Sequence, residues 1–204
     1  SPYHAGAVSD DDKNQALNAL KCIRYIAGIS PDVALKSEYE EYAQHASVLL
    51  KSLNMLTHHP QRPSDMPEEF YNKGYKGTSE SNLGFGYQNI ASSIVCGYMD
   101  DGGQSNIASV GHRRWCLNPG MHYTGFGIFE GYSAMYSFDN EYSTNIKYVA
   151  WPAQTMPVEF FENSKYSSRQ IPWSISLNGN YYVPDSGINV RLSSSDGKVY
   201  NFSS

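Results

Sequence analysis

With 204 residues the chain is long enough for one complete hydrophobic core and a small appendage. Hydrophobic residues at 40% and charged residues at 17% describe an ordinary soluble globular protein, and no apolar run approaches the roughly 20 residues of a membrane span. The net charge of -5, with scattered basic residues and Arg113-Arg114 as the only arginine pair, argues against nucleic acid as a partner, which would call for a basic stripe.

Residues 1–8 lack periodicity and read as part of a flexible tail ending near residue 10. Ser9 followed by Asp10, Asp11 and Asp12 is a helix cap with acidic residues at the positive end of the helix. Behind it Ala16, Leu20, Ile23 and Ala27 recur at helical spacing, and Gly28 with Pro31 stops the run. The clearest helix follows. Tyr39, Tyr42, Ala43, Ala46, Leu49, Leu50 and Leu53 trace an apolar stripe, with Glu40, Glu41, Gln44, Lys51 and Ser52 on the opposite face. His45 falls outside the stripe and is expected in solvent. Pro60, Pro63 and Pro67 forbid a continuing helix. A helical turn is expected at 68–72, and the Gly-, Ser- and Tyr-rich run 73–86 reads as a loop. Residues 88–99 have the pattern of a third helix, with Ile90, Ile94 and either Val95 or Cys96 inward. Asp100 to Gly103 ends it, and a short helix at 105–109 leads into Gly111-His112.

After Pro119 the pattern turns to strands, expected at 124–129, 133–138 and 147–151. Pro152 and Pro157 mark a boundary. Further strands are expected at 173–177, 188–192 and 199–202, with hairpin-type turns at Asn178-Gly179 and Asp196-Gly197. Helices first and strands second make the class α+β. The expected division is a tail at 1–10, a main domain at 11–155 and a β-rich extension at 156–204, which ends abruptly at Ser204 as a chain that continues would. The 17 tyrosines, against 8 Phe and 3 Trp, suit either an exposed recognition face or the positions of a small sheet. Cys22, Cys96 and Cys116 form no CxxC pair, which argues against structural zinc, and are expected to be mostly buried.

Among the histidines, His58, His59 and His112 carry the chemical interest. His112 opens GHRRWCLNPG, which is followed by TGFG, and a turn-and-strand unit of this kind can fix an imidazole in a cleft. If the second helix packs on the sheet, one histidine of the His58-His59 pair can face His112. Two imidazoles can hold a divalent ion such as zinc, with a carboxylate or water completing the site. The alternative is that these histidines only hydrogen-bond backbone. No GxSxG elbow marks a serine nucleophile. Cys116 would neighbour His112 only on a helix, which the turn at Pro119 opposes.

GHRRWCLNP followed by TGFG resembles the signature of the CAP superfamily, or SCP domain: the cysteine-rich secretory, antigen-five and pathogenesis-related proteins. Bacterial members that read GHRRWLLNP resemble it most. His112 matches the family histidine and Gly125 to Gly127 its G-x-G. LTHHP at 56–60 resembles the L-x-H segment, with His59 at the histidine position. SNLGFG at 81–86 resembles G-E-N-L, and the helix ending GYMDD resembles the third helix, which carries an acid near its end. The likeness runs from about residue 11 to 151. It implies an α-β-α sandwich with a small antiparallel sheet between helices, and a large cleft that often holds two His and two Glu able to bind a divalent ion. Here the histidine of the family's HNxxR segment has no counterpart, Ser81 replaces the Glu of G-E-N-L, and the second acid maps to Asp100 or Asp101. Such a set is expected to bind metal poorly.

The resemblance further implies an extracellular or cell-surface protein with its signal peptide removed. The expected role is a non-enzymatic binding module whose cleft, formed by His112, His59, Ser81, Asn82, Asp100 and Arg113, takes a lipid, a glycan or a protein. His112 and His59 are the metal-ligand candidates. The competing expectation is a metal-assisted or His/acid, peptidase-like hydrolase using His112, His59 and Asp100.

Overall fold

Ser9 caps the first helix as its acidic neighbours suggest: its Oγ accepts the amide of Asp12 at 3.1 Å. The computed structural model describes residues 3–139, 144–156, 171–179 and 187–203. Helix α1 (Asp10–Ile26) buries Ala16, Leu20 and Ile23 and stops at Gly28, where φ is +73°. Strand β1 (Ala34–Leu35) leads into helix α2 (Ser37–Leu53), which buries Ala43, Ala46, Leu49 and Leu50 as the stripe requires. Gln44, expected on the wet face, is buried. Its Oε1 accepts Ile128 N–H at 3.0 Å and its Nε2 donates to Ala5 O at 2.7 Å. Residues 3–9, the described part of the segment before α1, are therefore not a loose tail. Gln44 holds Ala5, Val8 sits in the main core, and Tyr3 donates to Asp65 at 2.8 Å.

The run read as a loop at 73–86 is instead most of helix α3 (Glu68–Ser79) and strand β2 (Ser81–Phe85). Helix α3 packs on α2 through Gly74, Gly77 and Thr78. A Cβ at Gly77 would lie 2.0 Å from the Tyr42 carbonyl oxygen, so the packing face of α3 is glycine and shows no hydrophobic period. The third helix begins as α4 (Ile90–Ser92) and widens into a π-helical stretch (Ser93–Tyr98). Ile90, Ile94 and Tyr98 point inward, while Val95 is exposed. Residues 105–109 form turns rather than a helix, and helix α5 (Gly111–Cys116) follows.

Strands β3 (Tyr123–Thr124), β4 (Phe126–Phe129) and β5 (Tyr132–Tyr136) come next. The antiparallel sheet runs β2-β5-β4, with β2 at one edge, and β3 pairs with β1 in parallel. Alternation along the strands separates two sets of contacts. Phe126 and Met135 join Ile90, Ile94 and Tyr98, whereas Tyr132 and Ala134 join Leu83 and the Ala43, Ala46 and Leu50 side of α2. The G-x-G of TGFG has a steric cause. A Cβ at Gly125 or Gly127 would lie 2.2 Å from backbone atoms of α2. The class is α+β.

Strand β6 (Tyr148–Trp151) contributes Val149 and Trp151 to the main core. It pairs antiparallel with β7 (Ser174–Leu177), and Asn178 N–H donates to Lys147 O at 2.8 Å. The expected boundary at 155–156 thus divides two strands that are hydrogen-bonded to each other. Strands β8 (Asn189–Ser193) and β9 (Val199–Ser203) form a hairpin whose Asp196-Gly197 turn has Gly197 at φ +85°. Pro157, Ser204 and whatever strand follows Asn178-Gly179 lie outside the described residues. Among the described residues, no helix is long and apolar enough to cross a membrane. The tyrosines serve both readings: Tyr98, Tyr132 and Tyr136 are buried, Tyr25 and Tyr148 exposed.

The cysteines differ from expectation. Cys116 is buried, Cys96 half-buried and Cys22 exposed, because position 22 falls on the solvent side of α1. Burial pushes the Cys116 thiol up to about 12 and raises Cys96 as well. A disulfide-exchange reagent is therefore expected to modify Cys22 quickly, Cys96 slowly and Cys116 only in denaturant. Fast modification of Cys116 in native protein would contradict this packing.

Candidate functional site

The site grows from two residues in left-handed backbone. Val110 (φ 42°) opens α5, so His112 lies in the first turn of a helix, and not at the start of a strand unit. Asp101 (φ 47°) follows the π-helical stretch, a conformation Asp tolerates better than most residues. Its side chain is fully buried, with Oδ1 2.9 Å from His112 Nδ1, while Oδ2 accepts Arg113 N–H at 3.3 Å. A carboxylate on Nδ1 selects the Nδ1–H tautomer and leaves Nε2 as the acceptor. Tyr98 stacks on the imidazole with centroids 5.5 Å apart. Burial holds the Tyr98 phenol well above its usual range, so it stays a donor, to Asn82 O at 3.1 Å. Asn82 Nδ2 in turn donates to His112 O at 2.9 Å, tying β2 to α5.

Four of the six expected cleft residues come together. His59, Ser81, Asn82 and His112 line a cavity of about 440 Å³, along with His58 and Asn106. One side of it is formed by Trp115 stacked on Phe138 at 4.2 Å between centroids. The Ser81 hydroxyl is buried and has no hydrogen-bond partner among the described residues. His58 Nδ1 is 2.8 Å from Thr78 O and His59 Nδ1 is 3.3 Å from the Tyr75 hydroxyl.

The other two expected residues do something else. Asp101, rather than Asp100, reaches His112, because the left-handed turn at 101 redirects the second carboxylate inward. Asp100 contributes its carbonyl oxygen to Arg113, and its Oδ1 is buried without a described partner. Arg113 is 1% exposed and does not line the cavity. Its guanidinium donates to Met99 O at 2.8 Å, Asp100 O at 2.7 Å and Pro172 O at 2.5 Å. Burial lowers its pKa to about 10, against the raising influence of Asp101 and Asp100. Cys116 does sit four residues after His112 on one helix, yet it is buried, protonated and in contact with Asn82, which rules it out as a nucleophile.

Among the described residues no three His, Cys, Asp or Glu side chains come together to hold a divalent ion. Asp101 is engaged with His112, and the cavity lining beside it offers His58, His59, Ser81, Asn82 and Asn106 but no described carboxylate. Sequence reasoning missed Tyr98, Asn106 and Phe138, which carry no spacing signal. Comparison of the chain with protein-family models, with curated proteins and with solved structures finds no match.

Proposed function

We propose that the chain is a secreted or cell-surface domain of the CAP superfamily, built as an α-β-α sandwich, whose cleft beside His112 binds a glycan without turning it over. Support for the family reading comes from what its signature segments do. The G-x-G admits the backbone of α2, SNLGFG is an edge strand beside the cavity, and His112 lines that cavity. Support for layers comes from α2 on one set of strand side chains and α4 with the π-helical stretch on the other.

One observation carries the choice of ligand. The cavity combines the Trp115–Phe138 face with neutral hydrogen-bonding groups, including the unpartnered Ser81 hydroxyl, and no described carboxylate lines it. Sugar rings offer apolar faces to aromatic rings and hydroxyls to amides and imidazoles. A lipid would call for an apolar channel, and a protein partner for a broad flat face. On a glycan array the protein is expected to retain oligosaccharides and release them intact, with His112→Ala lowering affinity by about tenfold or more in protein that circular dichroism shows to be folded at the assay temperature. Retention that ignores His112, or none on the array, would sink the reading.

A second reading rests on the His112–Asp101 pair. An imidazole oriented by a buried carboxylate is equipped to take a proton from water or a hydroxyl. It requires that the bound oligosaccharide or a peptide be cleaved, and that Asp101→Asn abolish cleavage. Chromatography of the recovered ligand decides between the two.

A further inference from the structure

Trp115 lines two cavities. Beyond the one beside His112 is a second of about 560 Å³, bordered by Arg114, Asn118, Tyr148, Ser176 and Asn178. Both volumes fall in the range of about 300–1,000 Å³ usual for small-ligand sites. Arg114 is exposed, and its side chain makes no hydrogen bond or ion pair with any described residue. Its neighbour Arg113 is buried on backbone carbonyls, because a helix turns about 100° per residue and directs consecutive side chains to different surroundings. The chain has 20 acidic residues against 15 basic, yet no described lining residue of either cavity is a carboxylate. A guanidinium with no partner among the described residues therefore lines the same cavity as two aromatic side chains, Trp115 and the half-exposed Tyr148.

We infer that this second cavity is a subsite for the carboxylate of an acidic sugar, held by Arg114, and that the two cavities together take a linear acidic oligosaccharide crossing Trp115. The inference rests on the glycan reading of the first cavity and adds the charge of the ligand. Guanidinium and carboxylate match as planar, two-pronged partners, which a neutral sugar cannot exploit. In the same lining Trp115 and Tyr148 supply aromatic rings, and Thr144 and Ser176 supply hydroxyls.

Titration calorimetry with oligomers of galacturonate, hyaluronan and alginate, each beside its methyl-esterified form, tests the subsite. Hexaglutamate serves as the acidic peptide control. In the wild type at least one acid is expected to bind about tenfold more tightly than its ester, with a preference that weakens as salt is added. Arg114→Gln is expected to abolish the preference and leave the affinity for the ester unchanged. His112→Ala is expected to weaken acid and ester alike and keep the preference. Equal affinities for acid and ester in the wild type, or a preference that survives Arg114→Gln, would overturn the subsite while the glycan reading stands. Hexaglutamate binding as tightly as the sugars would overturn the choice of ligand class. Failure of acids and esters alike would overturn both readings.

Discussion

Replacing Gly127 with alanine is expected to destabilise the fold by about 3 kcal/mol or more, the upper part of the range for forcing atoms into a packed interior. The added Cβ would meet the Ala43 carbonyl oxygen at 2.2 Å and its carbon at 2.3 Å, and these are helix backbone atoms with no rotamer to change. Gly125 makes the same close approach one helical turn earlier, to Tyr39 and Glu40. Two residues of strand advance about 6.8 Å and one turn of helix about 5.4 Å, which is why a G-x-G keeps a helix seated along a strand. Helix α2 has no room to retreat, since Gly77 of α3 closes on the Tyr42 carbonyl oxygen from another side. For a chain of this size the melting temperature should fall by about 6–12 °C. Gly179→Ala, where an added Cβ meets nothing within 4 Å, is the control and should leave it unchanged. Equal melting temperatures for the two variants would refute the packing of α2 on β4.

The same contact explains what was legible in the sequence. Helix α2 announced itself because its buried face is apolar and periodic. Helix α3 did not, because its buried face is Gly74, Gly77 and Thr78, and a contact made by absent side chains leaves no hydrophobic signal. Strands β4 to β7 were readable from their aromatic, turn-bounded runs, and the Asp196-Gly197 hairpin from its turn residues. Buried polar groups were the blind spot. Gln44 and Asp139 satisfy backbone amides from distant segments, Asp139 through His122 and Tyr123 at 2.6 and 2.9 Å, and no local pattern encodes such partners. In the site, His112 and His59 were singled out by their place beside turns, and Ser81 and Asn82 through the resemblance. The acid that orients His112 was left between Asp100 and Asp101, with Asp100 taken as the cleft candidate, since a single left-handed residue decides which of two adjacent aspartates turns inward.

Arg113→Leu is expected to lower stability by about 3–5 kcal/mol, the magnitude usual when one member of a buried charged network is removed. Three carbonyls, from Met99, Asp100 and Pro172, would lose their donor at once, and Ser174 Oγ would lose a contact at 3.1 Å. Met99 and Asp100 lead directly into Asp101, and Ser174 begins β7, so one guanidinium fixes both the loop that orients His112 and the strand that pairs with β6. Removing it also leaves the Asp101 carboxylate buried without the nearby cation. Arg113→Lys keeps the charge but loses the planar, multiply donating group, and should fall between Leu and wild type. Urea denaturation measures the stabilities, and the His112 Nδ1–H resonance reports whether the imidazole stays on Asp101. A loss below about 1 kcal/mol with that resonance intact would show that the carbonyls find other donors. Arg114→Gln, one residue along, should change neither quantity, because that side chain has no partner to lose among the described residues. Two adjacent arginines of one motif thus separate by direction alone: the inward one holds the site together, and the outward one remains available to a ligand.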